Sequence, residues 1–279
     1  MTTRKAFVLG WPIEHSRSPL IHGYWLRQHG LDGGYEKIAI EPAQFRDRLA
    51  ALYAEGYVGG NVTVPHKQAA FALAETADEM ATRLKAANTL VATKTGFAAR
   101  NTDGEGFLKS LEQSAPAWRA QAGPAVMLGA GGAARAIALA LENAGVPELR
   151  IVARRPEKAA ELIAEIGLDR ASAVAWTDRE AVLGDAALLV NATSLGMHGQ
   201  PALEIDLGGL PNMATVADIV YVPLITPLLS AARVRGLAIV DGLGMLLHQA
   251  VPGFEAWFGV RPEVTPALRQ LVLDDIADH

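Results

Sequence analysis

The chain has 279 residues, half of them hydrophobic, with a net charge of -5 and no cysteine. That length accommodates one large domain or two of ordinary size, and the charge gives no general attraction to nucleic acid or an anionic membrane. Without cysteine, disulfides, thiolate metal sites and a cysteine nucleophile are excluded, and the absence of disulfides fits a cytoplasmic protein. The N-terminus leads into an apolar run of residues 6–9, too short for a signal-peptide core, and no apolar stretch reaches the about 18 residues that would predict a membrane span.

Short β-rich runs alternate with longer alanine- and leucine-rich runs. The pattern predicts strands at residues 6–9, 35–40, 58–64 and 88–92, with helices between them, for example at 19–29 and 42–55. The first strand leads to His15-Ser16-Arg17-Ser18-Pro19. Ser16 and Ser18 lie two apart, so both hydroxyls can face one ligand carboxylate; equally, Ser18 can cap the helix that Pro19 begins. The third strand ends in Asn61-Val62-Thr63-Val64-Pro65-His66-Lys67. Alternation puts Asn61, Thr63 and Pro65 on one face, and Pro65, which cannot donate to a ladder, ends the strand. Lys67 then opens a helical run beyond the carboxyl end of the strand, the edge at which open α/β sheets bind ligands. An amide, a hydroxyl and an amine there suit a small polyhydroxylated substrate; a plain turn with a solvated lysine carries the same pattern.

At Asn101-Thr102-Asp103-Gly104 a further helix begins, with Thr102 as the expected N-cap and Glu105 at the capping-box position. A domain boundary is expected here. Asp103 is either a helix-start carboxylate or, facing Lys67, half of a pair that can pass a proton and orient a hydroxyl. Residues 115–124, rich in alanine and proline, read as a connection. Strands at 125–128, 150–153, 171–175, 188–191, 216–219 and 238–240 then predict a complete doubly wound domain after a smaller first sheet. A last helix is expected at 266–276, capped by Thr265; no strand follows it, so it can return to the first domain.

The segment Leu128-Gly129-Ala130-Gly131-Gly132-Ala133 takes a buried strand through a glycine turn into a helix. Glycines let the backbone approach a pyrophosphate, which the free N–H groups of the helix start then bind. Where an acid at the end of the next strand would select NAD, this chain has Arg154 and Arg155, with Lys158 in the first helical turn. Arginine holds a 2′-phosphate by charge and paired hydrogen bonds, so NADP is expected; Glu157 is the contrary residue. After the fourth strand of this series, Asn191-Ala192-Thr193-Ser194-Leu195-Gly196-Met197 supplies small polar residues, Thr193 among them, to line a nicotinamide pocket, with Met197 against the ring or as plain filler. Tyr221, beyond the next strand, can reach a substrate or sit on the surface. Gln249 lies about two turns into the helix opened by Asp241-Gly242. No HxxxH or HExxH pair, GxSxG elbow or GxxxxGK[ST] loop occurs, so no metal site, hydrolase or kinase is expected.

Taken in order, these segments resemble the shikimate dehydrogenase family over almost the whole chain. The resemblance implies a two-domain α/β fold: an N-terminal α/β substrate domain with a mostly parallel sheet (residues 1–102 and 243–279), a Rossmann-like doubly wound NADP domain (103–242), and a cleft between. It implies reversible, NADP-dependent reduction of 3-dehydroshikimate to shikimate, a step of aromatic amino-acid biosynthesis, with Lys67 as the acid/base residue and Asp103 as its partner. Ser16 and Ser18 match the carboxylate-binding serines, and Asn61, Thr63, Asn88, Tyr221 and Gln249 match positions that hold the substrate. Gly129, Ala130, Gly131, Gly132 and Ala133 match the pyrophosphate loop, Arg154 keeps the adenosine-side charge with Arg155 and Lys158 added, and Thr193, Met197 and Gly242 match the nicotinamide side. Glu79 falls at a position sometimes assigned to cofactor contact. The partners implied are a small-molecule substrate and NADP, without nucleic acid or membrane, in a monomer or homodimer.

The sequence departs from the family where Asn-Arg-Thr is common and Ala153-Arg154-Arg155 stands. A quinate- and NAD-using relative carries an acid where this chain has Pro156, and quinate-preferring relatives often have threonine at the place of Ser18. Shikimate and NADP are therefore favoured over quinate and NAD. A quinate- or aminoshikimate-type dehydrogenase shares the plan, as does a non-catalytic ligand-binding relative, which the presence of both Lys67 and Asp103 disfavours.

Overall fold

A computed structural model describes residues 3–278. The chain divides into two compact units, residues 3–102 with 249–278, and Asp103–His248. Met1, Thr2 and His279 of the expected bounds lie outside the described residues. The return to the first unit comes at Gln249 and not at residue 243, because a short helix after the last strand stays with the second unit.

The first unit is built from β1 (Arg4–Gly10), α1 (Ser18–Gln28), β2 (Gly33–Ala39), α2 (Phe45–Ala54), β3 (Gly59–Val62), α3 (Lys67–Leu73), β4 (Thr76–Ala77), α4 (Glu79–Leu84), β5 (Thr89–Ala92) and β6 (Phe97–Arg100). Its sheet runs β2-β1-β3-β5-β6-β4. The pairs β1/β2, β1/β3 and β4/β6 are parallel, whereas β5 is antiparallel to both neighbours. Two of these strands, β4 and β6, are absent from the sequence expectation: one has two residues and both are edgeward additions beyond the apolar runs. Phe7, Leu9, Phe45, Leu52, Val62, Leu90 and Phe97 form one core of this unit.

The second unit contains α5 (Asp103–Ser114), β7 (Ala125–Leu128), α6 (Gly132–Asn143), β8 (Leu149–Ala153), α7 (Pro156–Ile166), β9 (Ala171–Ala175), β10 (Leu188–Asn191), β11 (Thr215–Asp218), α8 (Pro227–Val234), β12 (Ala238–Val240) and α9 (Gly242–His248). Its sheet, β12-β11-β10-β7-β8-β9, is parallel throughout. Strands buried on both faces need continuous apolar runs, which is why Ala125–Leu128 and Leu188–Asn191 are fully buried. Strand order reverses between β7 and β10, the switch point at which such sheets open a crevice. Helix α9 packs on α5, where Gly244 allows an approach that any Cβ would block by colliding with Ser110.

The chain then returns to the first unit as α10 (Val251–Phe258) and α11 (Pro266–Ala277). Trp257 Nε1 donates to Leu90 O (2.8 Å), Arg4 Nη1 to Trp257 O (3.1 Å) and Trp25 Nε1 to Glu263 O (3.0 Å). Thr265 caps α11 by accepting from Leu268 N, as the sequence predicts. Among the described residues, no helix is long and apolar enough to cross a membrane, and no group of three or more His, Asp or Glu side chains is placed to hold a metal ion.

Candidate active site

In the second unit, β7 delivers the chain to Gly129, whose φ of +107° is a conformation open mainly to glycine. A Cβ there would also press on Ala192 O and Thr193 Cγ2 at 2.9 Å. Gly131 and Gly132 differ: a Cβ on either would meet nothing within 4 Å. The packing of this unit therefore demands Gly129, while the other two leave open space before the N-terminus of α6. The space at Gly131 belongs to a groove of about 580 Å³ lined by Gly129, Ala130 and Gly131 on one side and by Arg154, Arg155 and Lys158 on another. Both arginines are exposed, and among the described residues neither has an acidic partner, whereas Lys158 pairs with Glu161 at 2.5 Å. Open backbone at a helix start facing unpaired guanidiniums is chemistry for a phosphorylated ligand.

Thr193 forms a further wall of this groove. Gly132 and Ala133 stand in the first turn of α6, both outside the lining. Met197, 40% exposed, and Gly242, buried where a Cβ would collide with Ile219, are also absent from the lining. Trp176 and Gln200 do line it and escaped the sequence analysis; a lone indole after a strand carries no motif. Tyr221 is half-buried three residues beyond Asp218.

The first unit gathers a buried polar network around Asn88. Its Nδ2 donates to Thr102 Oγ1 (2.9 Å) and Gln249 Oε1 (3.3 Å), and its Oδ1 accepts from Thr102 N (2.9 Å) and Thr89 Oγ1 (3.0 Å). Thr102 Oγ1 also donates to Gln249 O (2.8 Å). Gln249 itself lies in the turn between α9 and α10 and not inside a helix. Asn61 joins through Nδ2, which donates to Asn88 O and Thr89 Oγ1, both at 3.2 Å. Its Oδ1 accepts from Tyr35 Oη at 2.6 Å. Tyr35, unmarked in the sequence, stacks on the buried ring of His22 with centroids 4.1 Å apart.

Ser18 is the first residue of α1, and the preceding cap position, Arg17, makes no side-chain cap bond; Ser18 is therefore not the cap. Ser18 N donates to Ser16 Oγ at 3.4 Å, which draws the two serines together. Thr63, half-buried, accepts at its carbonyl from His66 N (2.9 Å). His66 is buried, with Nε2 at 2.7 Å from Ile40 O and its ring stacked on Phe45, and so anchors the start of α3, where Lys67 is half-buried. Asp103, buried, opens α5 in the second unit. Glu79 is the exposed first residue of α4 in the first unit.

A two-unit α/β chain with a parallel, doubly wound second sheet and a basic groove at its switch point is of the Rossmann-like class. Residues 8–90 match the shikimate dehydrogenase substrate binding domain, 112–198 the shikimate / quinate 5-dehydrogenase family and 242–272 the shikimate 5′-dehydrogenase C-terminal domain. The chain is 55% identical to the shikimate dehydrogenase (NADP(+)) of Mesorhizobium japonicum, covering 98% of this chain and 97% of that protein. It resembles the shikimate 5-dehydrogenase of Thermus thermophilus in complex with NADP(H) and shikimate, with a TM-score of 0.85 and 34% identity over 98% of this chain and 99% of the other. The quinate dehydrogenase of Corynebacterium glutamicum in complex with NAD gives a TM-score of 0.90 at 32% identity, covering 98% and 99%. The chain belongs to the shikimate dehydrogenase family.

Proposed function

We propose that this protein catalyses the reversible, NADP-dependent reduction of 3-dehydroshikimate to shikimate, as a cytoplasmic biosynthetic enzyme. The observation that carries the cofactor half is the groove that pairs open backbone at Gly131 with the unpaired charges of Arg154 and Arg155. High identity to an NADP(+)-named relative supports the reaction. Gly129 to Ala133 would hold the pyrophosphate, Arg154, Arg155 and Lys158 the 2′-phosphate, and Thr193, Met197, Gly242 and Glu79 the remaining contacts. NADPH, when bound, supplies a hydride.

The chain's own chemistry concerns the carbonyl oxygen. Lys67, as an ammonium, gives it a proton during reduction and regains one from solvent; Asp103 orients that ammonium and the substrate hydroxyl. Ser16 and Ser18, held together at the start of α1, donate to the substrate carboxylate. Thr63, Asn88, Tyr221 and Gln249 hold ring oxygens. Asn61 has both amide protons spent on Asn88 O and Thr89 Oγ1, and those of Asn88 go to Thr102 Oγ1 and Gln249 Oε1, so either meets a hydroxyl as an acceptor.

The test is direct. Protein mixed with shikimate and NADP should produce NADPH absorbance, and the signal should fall when quinate replaces shikimate or NAD replaces NADP. No signal with either acid would overturn the reaction, and a clear NAD preference would overturn the role of the arginines.

A further inference from the structure

We infer that Asp218 is a positioning residue for the dinucleotide groove: its buried carboxylate fixes the amide of Asn191, which fixes the wall formed by Thr193 and Leu195. The inference rests on the proposed cofactor reading. Asp218 ends β11 and Asn191 ends β10, and the two are register partners. Asp218 is 2% exposed and Asn191 is fully buried. Asp218 Oδ1 accepts from Asn191 Nδ2 (3.0 Å) and Val220 N (2.9 Å), and Oδ2 accepts from Thr226 Oγ1 (2.8 Å). Three donors converge on one group, and only a carboxylate accepts at both oxygens.

The direction of every bond then follows. Asn191 Nδ2 also donates to Leu195 O at 3.1 Å. Its Oδ1 accepts from Thr193 N (3.0 Å) and Thr193 Oγ1 (2.7 Å), and Thr193 Oγ1 accepts from Leu195 N (3.0 Å). A flipped amide would aim its oxygen at the carboxylate and its N–H groups at the Thr193 N–H. The carboxylate thus selects one amide orientation, and that orientation sets Thr193 and Leu195, which line the groove beside Gly129. Thr226, the N-cap of α8, supplies the outer donor and ties the relay to a helix start. Asp218 itself is not among the lining residues, so its influence on a ligand passes through Asn191.

The experiment measures NADPH dissociation by fluorescence without substrate, beside the KM for shikimate. Asp218→Ala should raise the NADPH dissociation constant about tenfold and leave the KM for shikimate within about twofold. An unchanged dissociation constant, or an equal rise in both quantities, would overturn the assignment. If the alanine variant does not fold, Asp218→Asn is read instead: one amide oxygen must serve donors that had two, and its NH₂ opposes one of them, so NADPH binding should weaken at least about threefold. No weakening there overturns the relay. Thr193→Val should weaken NADPH binding in the same direction, and combining it with the Asp218 change should add less than the sum; full additivity overturns the coupling. Because binding is read without substrate, failure of shikimate turnover in the wild type counts against the reaction and not against Asp218.

Discussion

In the first unit, amides and hydroxyls from Tyr35, Asn61, Asn88, Thr89, Thr102 and Gln249 bond to one another; in the second, Asp218 gathers three donors on a single carboxylate. Burial acts with opposite sign on one titratable group of each unit, His22 and Asp218. His22 is fully buried, neither ring nitrogen has a hydrogen-bond partner among the described residues, and burial lowers its pKa from 6.5 to about 3, with nearby Asn61 acting in the opposite direction. Burial raises Asp218 from 3.8 to about 6, against the hydrogen bonds from Val220, Thr226 and Asn191. The unfolded chain protonates His22 near 6.5 while the folded unit resists until about 3, so the first unit loses stability as pH falls below 6.5. The folded second unit keeps the Asp218 proton up to about 6 while the unfolded chain releases it near 3.8, so this unit gains stability as pH falls from 6 towards 3.8. Acid therefore strains one unit and relaxes the other.

The sharpest way to break this division is to ask whether each unit governs its own ligand. Lys67→Ala should lower kcat by at least about a hundredfold while NADPH dissociation stays within about twofold; near-normal turnover would remove Lys67 from the mechanism. Replacing Arg154 and Arg155 together by alanine should raise the KM for NADPH roughly thirtyfold, from the lost charge-assisted hydrogen bonds, and leave the KM for shikimate in place. The glycine turn separates ligand from fold within one loop. Gly129→Ala should destabilise the second unit by about 2 kcal/mol in urea titration, from positive φ and the contact with Ala192 O. Gly131→Ala should leave stability within about 0.5 kcal/mol and still weaken NADPH binding; equal binding by the Gly131 variant would deny the pyrophosphate role.

Two smaller effects probe the buried groups. His22→Phe keeps an aromatic ring on Tyr35 and removes the titration. Its stability relative to wild type should rise as pH falls from 6.5 to about 4.5, by about 1 kcal/mol or more, with amide exchange locating the gain in the first unit. A constant difference across that range would mean that His22 does not titrate there. Tyr35→Phe removes the donor to Asn61 and should raise the KM for shikimate about fivefold, with NADPH binding unchanged; a shift in both would make Tyr35 structural only.

Most strands of the second sheet were legible as short runs rich in apolar residues, and 125–128, 171–175, 188–191 and 238–240 coincide with the observed β7, β9, β10 and β12. The first sheet was less so. Thr76–Ala77 is too short for any alternation to register, and Phe97–Arg100 has only one large apolar residue. The glycine turn and the arginine pair were visible as local chemistry. The relays were not: Tyr35 and Asn61 are 26 residues apart and Asn191 and Asp218 are 27 apart. Only strand register makes such pairs neighbours. Thr102 carries more than its local pattern shows, for its hydroxyl also donates to Gln249 O, 147 residues further on.

The first unit is interrupted in the chain by the whole of the second. Synthesis on a ribosome gives that interruption a schedule. When Thr102 leaves the exit tunnel, the partners of Asn88 and Thr102 at Gln249, and the indole that bonds Leu90 O from Trp257, do not yet exist. The continuous segment Asp103–His248 is whole earlier and can close its own core first. Nascent chains commonly fold from the N-terminus onward; here the residues made first wait for those made last.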